Sequence, residues 1–164
     1  MSLFEMAYAS PVGRLSLVSS ETELHAVLWQ NDAPSRVPLP ARHVVEQHAL
    51  LETVREQLDA YFAGKLKEFD LPLNPQGTPF QQAVWHALRH IPYGETRSYS
   101  QLAESLNAPA AVRAVGSANG RNPISIIIRC HRVLGKDGTL TGFAGGLAVK
   151  AQLLALEQYP RRLL

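Results

Sequence analysis

Three short runs of mostly hydrophobic residues lie near the N-terminus, at residues 3–8, 15–18 and 24–29. Short hydrophobic runs of this length that are bounded by turn residues are typical of strands. A Pro-Val-Gly turn at residues 11–13 and a polar segment at residues 19–23 separate these stretches. The pattern therefore predicts three strands of an antiparallel meander.

The hydrophobic spacing becomes helical over residues 43–62, and Gly64 follows as a helix stop. The apolar positions on the predicted inner face of this helix are Val44, Leu51, Val54, Leu58 and Phe62. The proline-containing residues 71–77 predict an extended linker. We therefore expect an N-terminal domain at residues 1–77 and a C-terminal domain at residues 78–164.

Two capping boxes mark helix starts in the second half of the chain. Thr78 with Gln81 begins a helix that extends to about residue 90. Ser98 with Gln101 begins a shorter helix that extends to residue 106. Both helices are thus predicted from local hydrogen-bonding signals as well as from hydrophobic spacing.

A tight turn at residues 107–109 leads into another predicted helix at residues 110–119. Two short helices joined by such a turn are typical of a helix-turn-helix. The second helix has small side chains and a single charge, Arg113. Close helix packing and an approach to a nucleic-acid groove both account for the small side chains.

The β-branched residues 124–128 predict a buried strand, which leads directly into Arg129, Cys130 and His131. After a glycine-containing turn, the hydrophobic pattern predicts a last helix from residue 147 to about residue 159. Strands and helices are therefore unevenly distributed, with most strands in the first half and most helices in the second.

Charge is also unevenly distributed, although the formal net charge of the chain is only +2. Residues 1–79 carry 6 basic and 10 acidic residues, a net charge of −4. Residues 80–164 carry 10 basic and 4 acidic residues, a net charge of +6. This asymmetry favours contact between the second half and a polyanion, although uneven decoration of a protein surface produces the same asymmetry.

The composition argues against membrane and secreted classes of protein. No apolar run is long enough to span a bilayer, and Glu5 with neighbouring polar residues interrupts any signal-peptide pattern. The chain has one cysteine and so cannot form an internal disulfide. We expect a reducing compartment, and therefore a cytoplasmic protein.

The single cysteine, Cys130, is the candidate nucleophile. Cysteine reacts as a thiolate, and a free thiol with a pKa near ~8.5 needs a base or positive charge to activate it. His131 is adjacent in sequence, and Arg129 and Arg132 add positive charge. Because adjacent side chains of an extended segment point to opposite faces, His131 is expected to act through a water or at a bend. The alternative is that Cys130 is a small core residue.

Metal and cofactor sites are not predicted. There is no second cysteine, and the histidines near Cys130 lack the spacing of metal ligands. Phosphate-loop and dinucleotide-binding motifs are absent from the sequence.

Several ordered blocks in the second half resemble O6-alkylguanine-DNA alkyltransferases, the methylated-DNA–protein-cysteine methyltransferases. The blocks are residues 122–133, which surround Cys130, and residues 78–85, 91–94, 98–103, 113–116, 141–146 and 153–157. The first half resembles the bacterial Ogt type in its layout and at residues 60–64. This resemblance implies an α+β fold. The N-terminal domain is expected to be ribonuclease H-like, with an antiparallel sheet and a helix, and the C-terminal domain to be a winged helix-turn-helix.

The resemblance implies DNA repair by irreversible, stoichiometric transfer of an alkyl group from O6-alkylguanine in duplex DNA to Cys130. O4-alkylthymine is a further candidate substrate. The nucleotide is expected to flip out through the minor groove, without a cofactor. The protein is expected to be a monomer, with cooperative binding along DNA left open.

The resemblance also assigns roles within the reaction. Cys130 accepts the alkyl group, His131 takes its proton through a water, and Glu157 orients His131. Asn122 holds the hinge between the recognition helix, which is the predicted helix at residues 110–119, and the segment that carries the cysteine. The expected contacts to DNA and to the flipped base come from Tyr99, Arg113, Gly116, Ser117, Val133 and Ala144.

The resemblance assigns particular actions to four of these residues and to Cys130. Tyr99 rotates the nucleotide and donates to guanine N3, while Arg113 fills the place of the flipped base. The carbonyl groups of Cys130 and Val133 accept the exocyclic amine of guanine. The backbone N–H of Ala144 points at O6.

The chain departs from the family pattern beside the nucleophile, where Arg129 replaces a proline. The arginine either lowers the pKa of Cys130 or loosens the site. Ser125 and Ala144 also replace residues found in some relatives, and both are expected to line the pocket.

Three rival interpretations remain. One is a non-catalytic, alkyltransferase-like protein that binds lesions, and its members lack the cysteine. The second is a helix-turn-helix regulator, for which residues 110–118 offer few polar side chains to read bases. The third is a thiol hydrolase, which needs an oxyanion site that the sequence does not indicate.

Overall fold

The computed structural model describes the backbone of residues 2–162 and the side chains of residues 2–157. Its N-terminal half contains a four-stranded sheet of order β3-β2-β1-β4. The strands are β1 (Leu3–Ser10), β2 (Gly13–Ser19), β3 (Leu24–Trp29) and β4 (Arg42–Val44). The first three form the predicted antiparallel meander, whereas β4 pairs in parallel with β1.

Strand β4 was not predicted, because Val44 was assigned to the inner face of a helix. Val44 is instead 77% exposed. The backbone N–H of Val45 donates to the carbonyl of Glu5 at 2.9 Å, and Arg42 pairs with the Glu5 carboxylate at 2.7 Å. Pairing with the open edge of β1 therefore overrides the helical spacing of this segment.

The helix α1 spans Ala49–Phe62 and lies against β1 and β2. His48 caps it, because its Nδ1 accepts from the Leu51 backbone N–H at 3.3 Å. Tyr61 is completely buried, whereas the neighbouring Phe62 is only half-buried. The inner face of the helix therefore ends on Tyr61, one position away from the predicted Phe62.

The C-terminal half is mainly helical and confirms the mixed α+β class. Its helices are α2 (Pro79–Leu88), α3 (Tyr99–Ser105), α4 (Val112–Gly120) and α5 (Leu147–Arg162). Both predicted capping boxes are present, at the starts of α2 and α3. A two-stranded parallel pair, β5 (Arg97–Ser98) and β6 (Val133–Leu134), joins the start of α3 to the residues that follow the cysteine.

Residues 124–128 are buried, as predicted, but they form a series of tight turns and not a strand. The Ile128 backbone N–H donates to the carbonyl of Ile124 at 2.9 Å, and Ile127 donates to that of Ser125 at 2.8 Å. Ile126 has a φ of 73°, a left-handed value that β-branched residues rarely adopt. The β-branched run indicated burial correctly, but its backbone pairs mostly within the segment.

The two halves share one hydrophobic core, which includes Leu17 and Val27 of the sheet, Tyr61, Trp85 and Leu153. The linker runs along β3, where Leu24 donates to the carbonyl of Pro72 at 2.8 Å. No helix in the described part of the chain is long and apolar enough to cross a membrane.

Candidate active site

Cys130 is the first residue of a single 3₁₀ turn, Cys130–Arg132, that follows the tight turns at residues 124–128. Its side chain is 4% exposed. The bend at this turn lets Cys130 and His131, although adjacent in sequence, both face the interior. The sequence prediction that His131 acts through a water or at a bend is consistent with this geometry.

His131 and Glu157 form a buried pair between the 3₁₀ turn and α5. The His131 Nε2 lies 2.7 Å from the Glu157 Oε2, and both side chains are at most 1% exposed. Because a carboxylate only accepts, Nε2–H is the donor and Nδ1 carries the free lone pair of a neutral imidazole. Among the described residues, Nδ1 has no hydrogen-bond partner.

Glu157 also accepts from two further side chains. The Tyr61 hydroxyl donates to Oε2 at 2.5 Å. Arg132 donates to Oε1 from Nε at 2.7 Å and to Oε2 from Nη2 at 3.1 Å. A third Arg132 hydrogen bond, at 2.6 Å, reaches the carbonyl of Ile91 in the turn after α2. The carboxylate therefore joins elements from both halves of the chain.

These contacts determine which groups are charged. Burial alone raises the pKa of Glu157, but His131 and Arg132 outweigh that effect and hold it at about 2. Burial lowers the pKa of His131, an effect that Glu157 opposes. Burial and then Glu157 raise the pKa of Tyr61. The site therefore holds a carboxylate, a neutral imidazole and a protonated phenol at neutral pH.

Burial raises the pKa of the Cys130 thiol. The side-chain amide of Asn122 and the charges of Arg36 and Lys150 oppose this increase. Lys150 is itself completely buried, and its Nζ donates to the carbonyl of Thr141 at 2.8 Å. The resting form of Cys130 is therefore a thiol, which must lose its proton before the sulfur reacts.

Asn122 closes the turn segment that precedes the cysteine. Its Nδ2 donates to the carbonyl of Ile128 at 2.8 Å, and its Oδ1 accepts from the Ile124 backbone N–H at 3.0 Å. One buried side chain thus joins both ends of the segment that contains the strained Ile126. Such strain costs about 1–3 kcal/mol and persists only where surrounding contacts hold it.

Arg36 is a further side chain beside the active site, and the sequence did not predict its position there. It comes from the proline-containing loop after β3 and pairs with Asp32 at 2.5 Å. Its Nη1 donates to the carbonyl of Asn122 at 2.9 Å and to that of Gly120 at 3.2 Å. Its position beside the site depends on the packing of the two halves, for which the local sequence carries no signal.

Arg129 does not direct its charge at the cysteine. Its guanidinium donates to the carbonyl of Arg89 and to the carboxylate of Glu68, with a longer contact of 3.5 Å to the carbonyl of Ile91. Only 7% of Arg129 is exposed. The side chain therefore anchors the turn to the end of α2 and to the segment after α1.

The residues expected to contact DNA lie mostly on the surface. Tyr99, the first residue of α3, is half-buried and accepts from the Thr141 hydroxyl at 3.2 Å. Gly116 faces the Tyr99 ring, since a Cβ there would lie 3.8 Å from it. Arg113 and Ser117 are exposed on α4. The turn between α3 and α4 thus brings these four residues onto neighbouring helices.

The remaining predicted residues lie in β6 and in the segment between β6 and α5. Val133 is completely buried in β6 directly after the 3₁₀ turn. Ala144 is exposed shortly before α5. Ser125 is buried and accepts from the Trp29 Nε1–H at 3.1 Å.

Within the described residues, no group of three or more His, Cys, Asp or Glu side chains is arranged to hold a metal ion.

The site combines a buried thiol, an adjacent neutral histidine and a carboxylate bonded to that histidine, the arrangement that an activated thiol nucleophile requires. Comparison with known proteins identifies the family. The model of the 6-O-methylguanine DNA methyltransferase DNA-binding domain matches residues 79–159. That of the ribonuclease-like domain of the same methyltransferase matches residues 3–75. The chain belongs to the 6-O-methylguanine DNA methyltransferase family.

Individual relatives match over nearly the whole chain. A methylated-DNA–protein-cysteine methyltransferase of Methanosarcina barkeri is 50% identical over 91% of this chain and 93% of its own length. The Haemophilus influenzae protein of the same name is 48% identical over 97% of this chain and 88% of its own. The crystal structure of Mycobacterium tuberculosis OGT in complex with DNA has a TM-score of 0.86 and 44% identity. It covers 95% of this chain and 93% of the OGT chain.

Proposed function

We propose that this protein repairs duplex DNA by transferring the alkyl group of O6-alkylguanine to Cys130, in a single and irreversible turnover. The observation that carries the proposal is the buried pair of His131 and Glu157 directly beside the only cysteine of the chain. Family membership and a solved relative bound to DNA support the same substrate class. O4-alkylthymine is a secondary candidate substrate.

The proton of the thiol determines the order of events. Burial keeps Cys130 protonated, and His131 is neutral with a free Nδ1 lone pair. In the proposed reaction Nδ1 takes the thiol proton through a bridging water, and Glu157 balances the resulting imidazolium. The sulfur then attacks the alkyl carbon, so that a C–S bond forms while the bond from carbon to O6 breaks. The guanine ring leaves with the electron pair.

The leaving group needs a proton donor, and Tyr99 is the proposed source. Its hydroxyl, held by Thr141, donates to guanine N3 and neutralises the departing ring. We propose that the carbonyls of Cys130 and Val133 accept the exocyclic amine. The backbone N–H of Ala144 donates to O6. Because the product is a thioether, which is a poor leaving group, Cys130 is not regenerated.

DNA binding is assigned to α3 and α4. Extrusion of a base costs a few kcal/mol, and the proposed role of the exposed Arg113 is to fill the vacated place in the stack. The small Gly116 and Ser117 let α4 approach the minor groove, which is about 6 Å wide. Asn122 holds α4 in place relative to the cysteine.

The proposed division of labour follows the sequence boundary at residues 77–78. Residues 78–164 bind DNA and carry out the transfer, whereas residues 1–77 support the site through Tyr61 and Arg36. We further propose a monomer that acts in the cytoplasm. The single cysteine, which has to stay reduced for the reaction, supports that compartment.

Intact-mass spectrometry tests the proposal directly. The protein is mixed with a duplex that carries one O6-methylguanine, with Cys130→Ala and undamaged duplex as controls. We expect a mass gain equal to replacing one hydrogen by one methyl group, located on Cys130 by peptide mapping, with no second turnover. Tight binding without a mass change would make this protein a lesion binder. If the protein neither binds the duplex nor accepts the methyl group, the assignment to DNA repair is overturned.

A further inference from the structure

We propose that Tyr61, contributed by the N-terminal half, is a positioning residue that limits how strongly Glu157 holds the protonated form of His131. This inference rests on the proposed function, because it concerns the same alkyl transfer. It assigns the N-terminal domain a part in the chemistry beyond structural support.

Glu157 is saturated with donors. Oε2 accepts from Tyr61 at 2.5 Å, from His131 at 2.7 Å and from Arg132 at 3.1 Å, and Oε1 accepts from Arg132 at 2.7 Å. A carboxylate offers about four lone-pair sites. Tyr61 and His131 therefore share one oxygen, in a site where neither side chain is exposed to solvent.

Donors that share an acceptor weaken one another. The Tyr61 hydroxyl draws negative charge from Oε2, so the carboxylate stabilises an imidazolium at His131 less strongly. Removing the hydroxyl makes His131 more basic. More of it is then protonated before the reaction, and a protonated imidazole cannot accept the proton of Cys130.

Other charged and titratable groups also face this pair. Arg132 and Cys130 lie on the 3₁₀ turn with His131, and Lys150 lies on α5 with Glu157. Tyr93, from the turn after α2, packs against Tyr61 at 6.4 Å between ring centroids. Within the described residues Tyr93 makes no hydrogen bond to Glu157, which makes Tyr93→Phe a matched control for Tyr61→Phe.

The test is the pH dependence of single-turnover methyl transfer from an O6-methylguanine duplex, measured with the full chain. For Tyr61→Phe we expect the acidic limb of the rate profile to move to higher pH. On that limb a displacement of one pKa unit slows transfer about tenfold. Duplex affinity stays as in the unmodified protein. Tyr93→Phe keeps the original profile.

Replacing Tyr61 by 3-fluorotyrosine provides a second variant, which keeps the hydroxyl as well as the ring. Fluorine makes the hydroxyl a stronger donor, so the acidic limb should move in the opposite direction, to lower pH. NMR titration of His131 in the same proteins gives a readout that does not depend on transfer.

Two outcomes overturn the inference. One is a rate that falls equally at all pH values in Tyr61→Phe. The other is an unchanged His131 titration in either variant. Failure of the unmodified protein to transfer methyl would overturn the proposed function instead, while the His131 titration would still decide the role of Tyr61.

Discussion

The site around Glu157 and the surface formed by α3 and α4 differ in how they are built. We propose that the first supports the alkyl transfer and that the second binds DNA. Around Glu157, charged and polar side chains are buried, and their hydrogen bonds come from both halves of the chain. On α4, Arg113 and Ser117 are exposed. Most hydrogen bonds of the first region lie within the protein, whereas we propose that DNA supplies the partners of the second.

This difference determines what a substitution in each region should change. In the buried region, removing one partner leaves another charge or donor unsatisfied, so stability and transfer fall together. On the exposed surface there is little to destabilise, so only reactions that involve duplex DNA should suffer. The predictions below separate the two regions, in order of decreasing effect.

Glu157→Gln should have the largest effect. The amide cannot balance Arg132, and removing one partner of a buried ion pair costs about 3–5 kcal/mol of folding free energy. Transfer should also slow by about 10²–10⁴-fold, the usual contribution of general base catalysis. Urea unfolding and single-turnover rates measure the two losses. Glu104→Gln, an exposed change on α3, is the matched control, and equal stability of the two variants would contradict this account.

Acid should weaken the same region in the unmodified protein. Since burial lowers the pKa of His131 in the folded state, stability should fall as the pH drops below about 6.5, where the unfolded chain takes up a proton. Glu157, with a folded pKa of about 2 against 4.5 when unfolded, contributes about 3 kcal/mol above pH 4.5. That contribution is lost progressively as the pH falls from 4.5 to 2.

Urea unfolding between pH 8 and pH 3 tests the acid effect, with Glu157→Gln as the comparison. The slope below about pH 4.5 should be shallower in the variant, because the group responsible is gone. Parallel curves for the two proteins would assign the acid effect to other residues.

Arg113→Ala should affect only the DNA-facing region. Without a side chain to replace the flipped base, transfer from duplex DNA should slow by about tenfold to a hundredfold, equivalent to about 1.4–2.7 kcal/mol. Stability should change by no more than about 0.5 kcal/mol. Reaction with free O6-methylguanine base should be unchanged. Arg14→Ala, which removes an exposed arginine from the N-terminal sheet, controls for charge, and an equal slowing in that variant would contradict the assigned role.

Substitutions at Arg129 should have the smallest effects. Arg129 has a φ of −84°, close to the value that proline adopts, and within the described residues its backbone N–H has no hydrogen-bond partner. Arg129→Pro should therefore fold normally and transfer the alkyl group within about a factor of two of the unmodified rate. The proline loses the hydrogen bonds of the guanidinium but fixes the backbone φ angle. Arg129→Ala provides neither, and should lose about 1 kcal/mol of stability. Thermal unfolding and transfer rates compare the two variants, and a proline variant less active than the alanine variant would be the contrary result.

The sequence by itself determined the elements whose signals are local. Short hydrophobic runs between turn residues predicted the first three strands, and the capping boxes at Thr78 and Ser98 predicted two helix starts, because each signal depends on residues only a few positions apart. The motif around Cys130 likewise predicted the family and the nucleophile. Local signals were wrong at Val44, where pairing with β1 decides the backbone, and at residues 124–128, where a series of tight turns replaces the predicted strand.

Only the tertiary structure decided how the nucleophile is supported. Tyr61 and Glu157 are 96 residues apart in sequence, and Arg36 reaches the carbonyl of Asn122 across 86 residues. The spacing placed Phe62 inward, and packing of α1 against the sheet selected Tyr61 instead. Hydrophobic spacing along the sequence indicates which side chains are buried. It does not indicate which distant polar group a buried hydroxyl or guanidinium binds, because the packing of the two halves of the chain determines that partner.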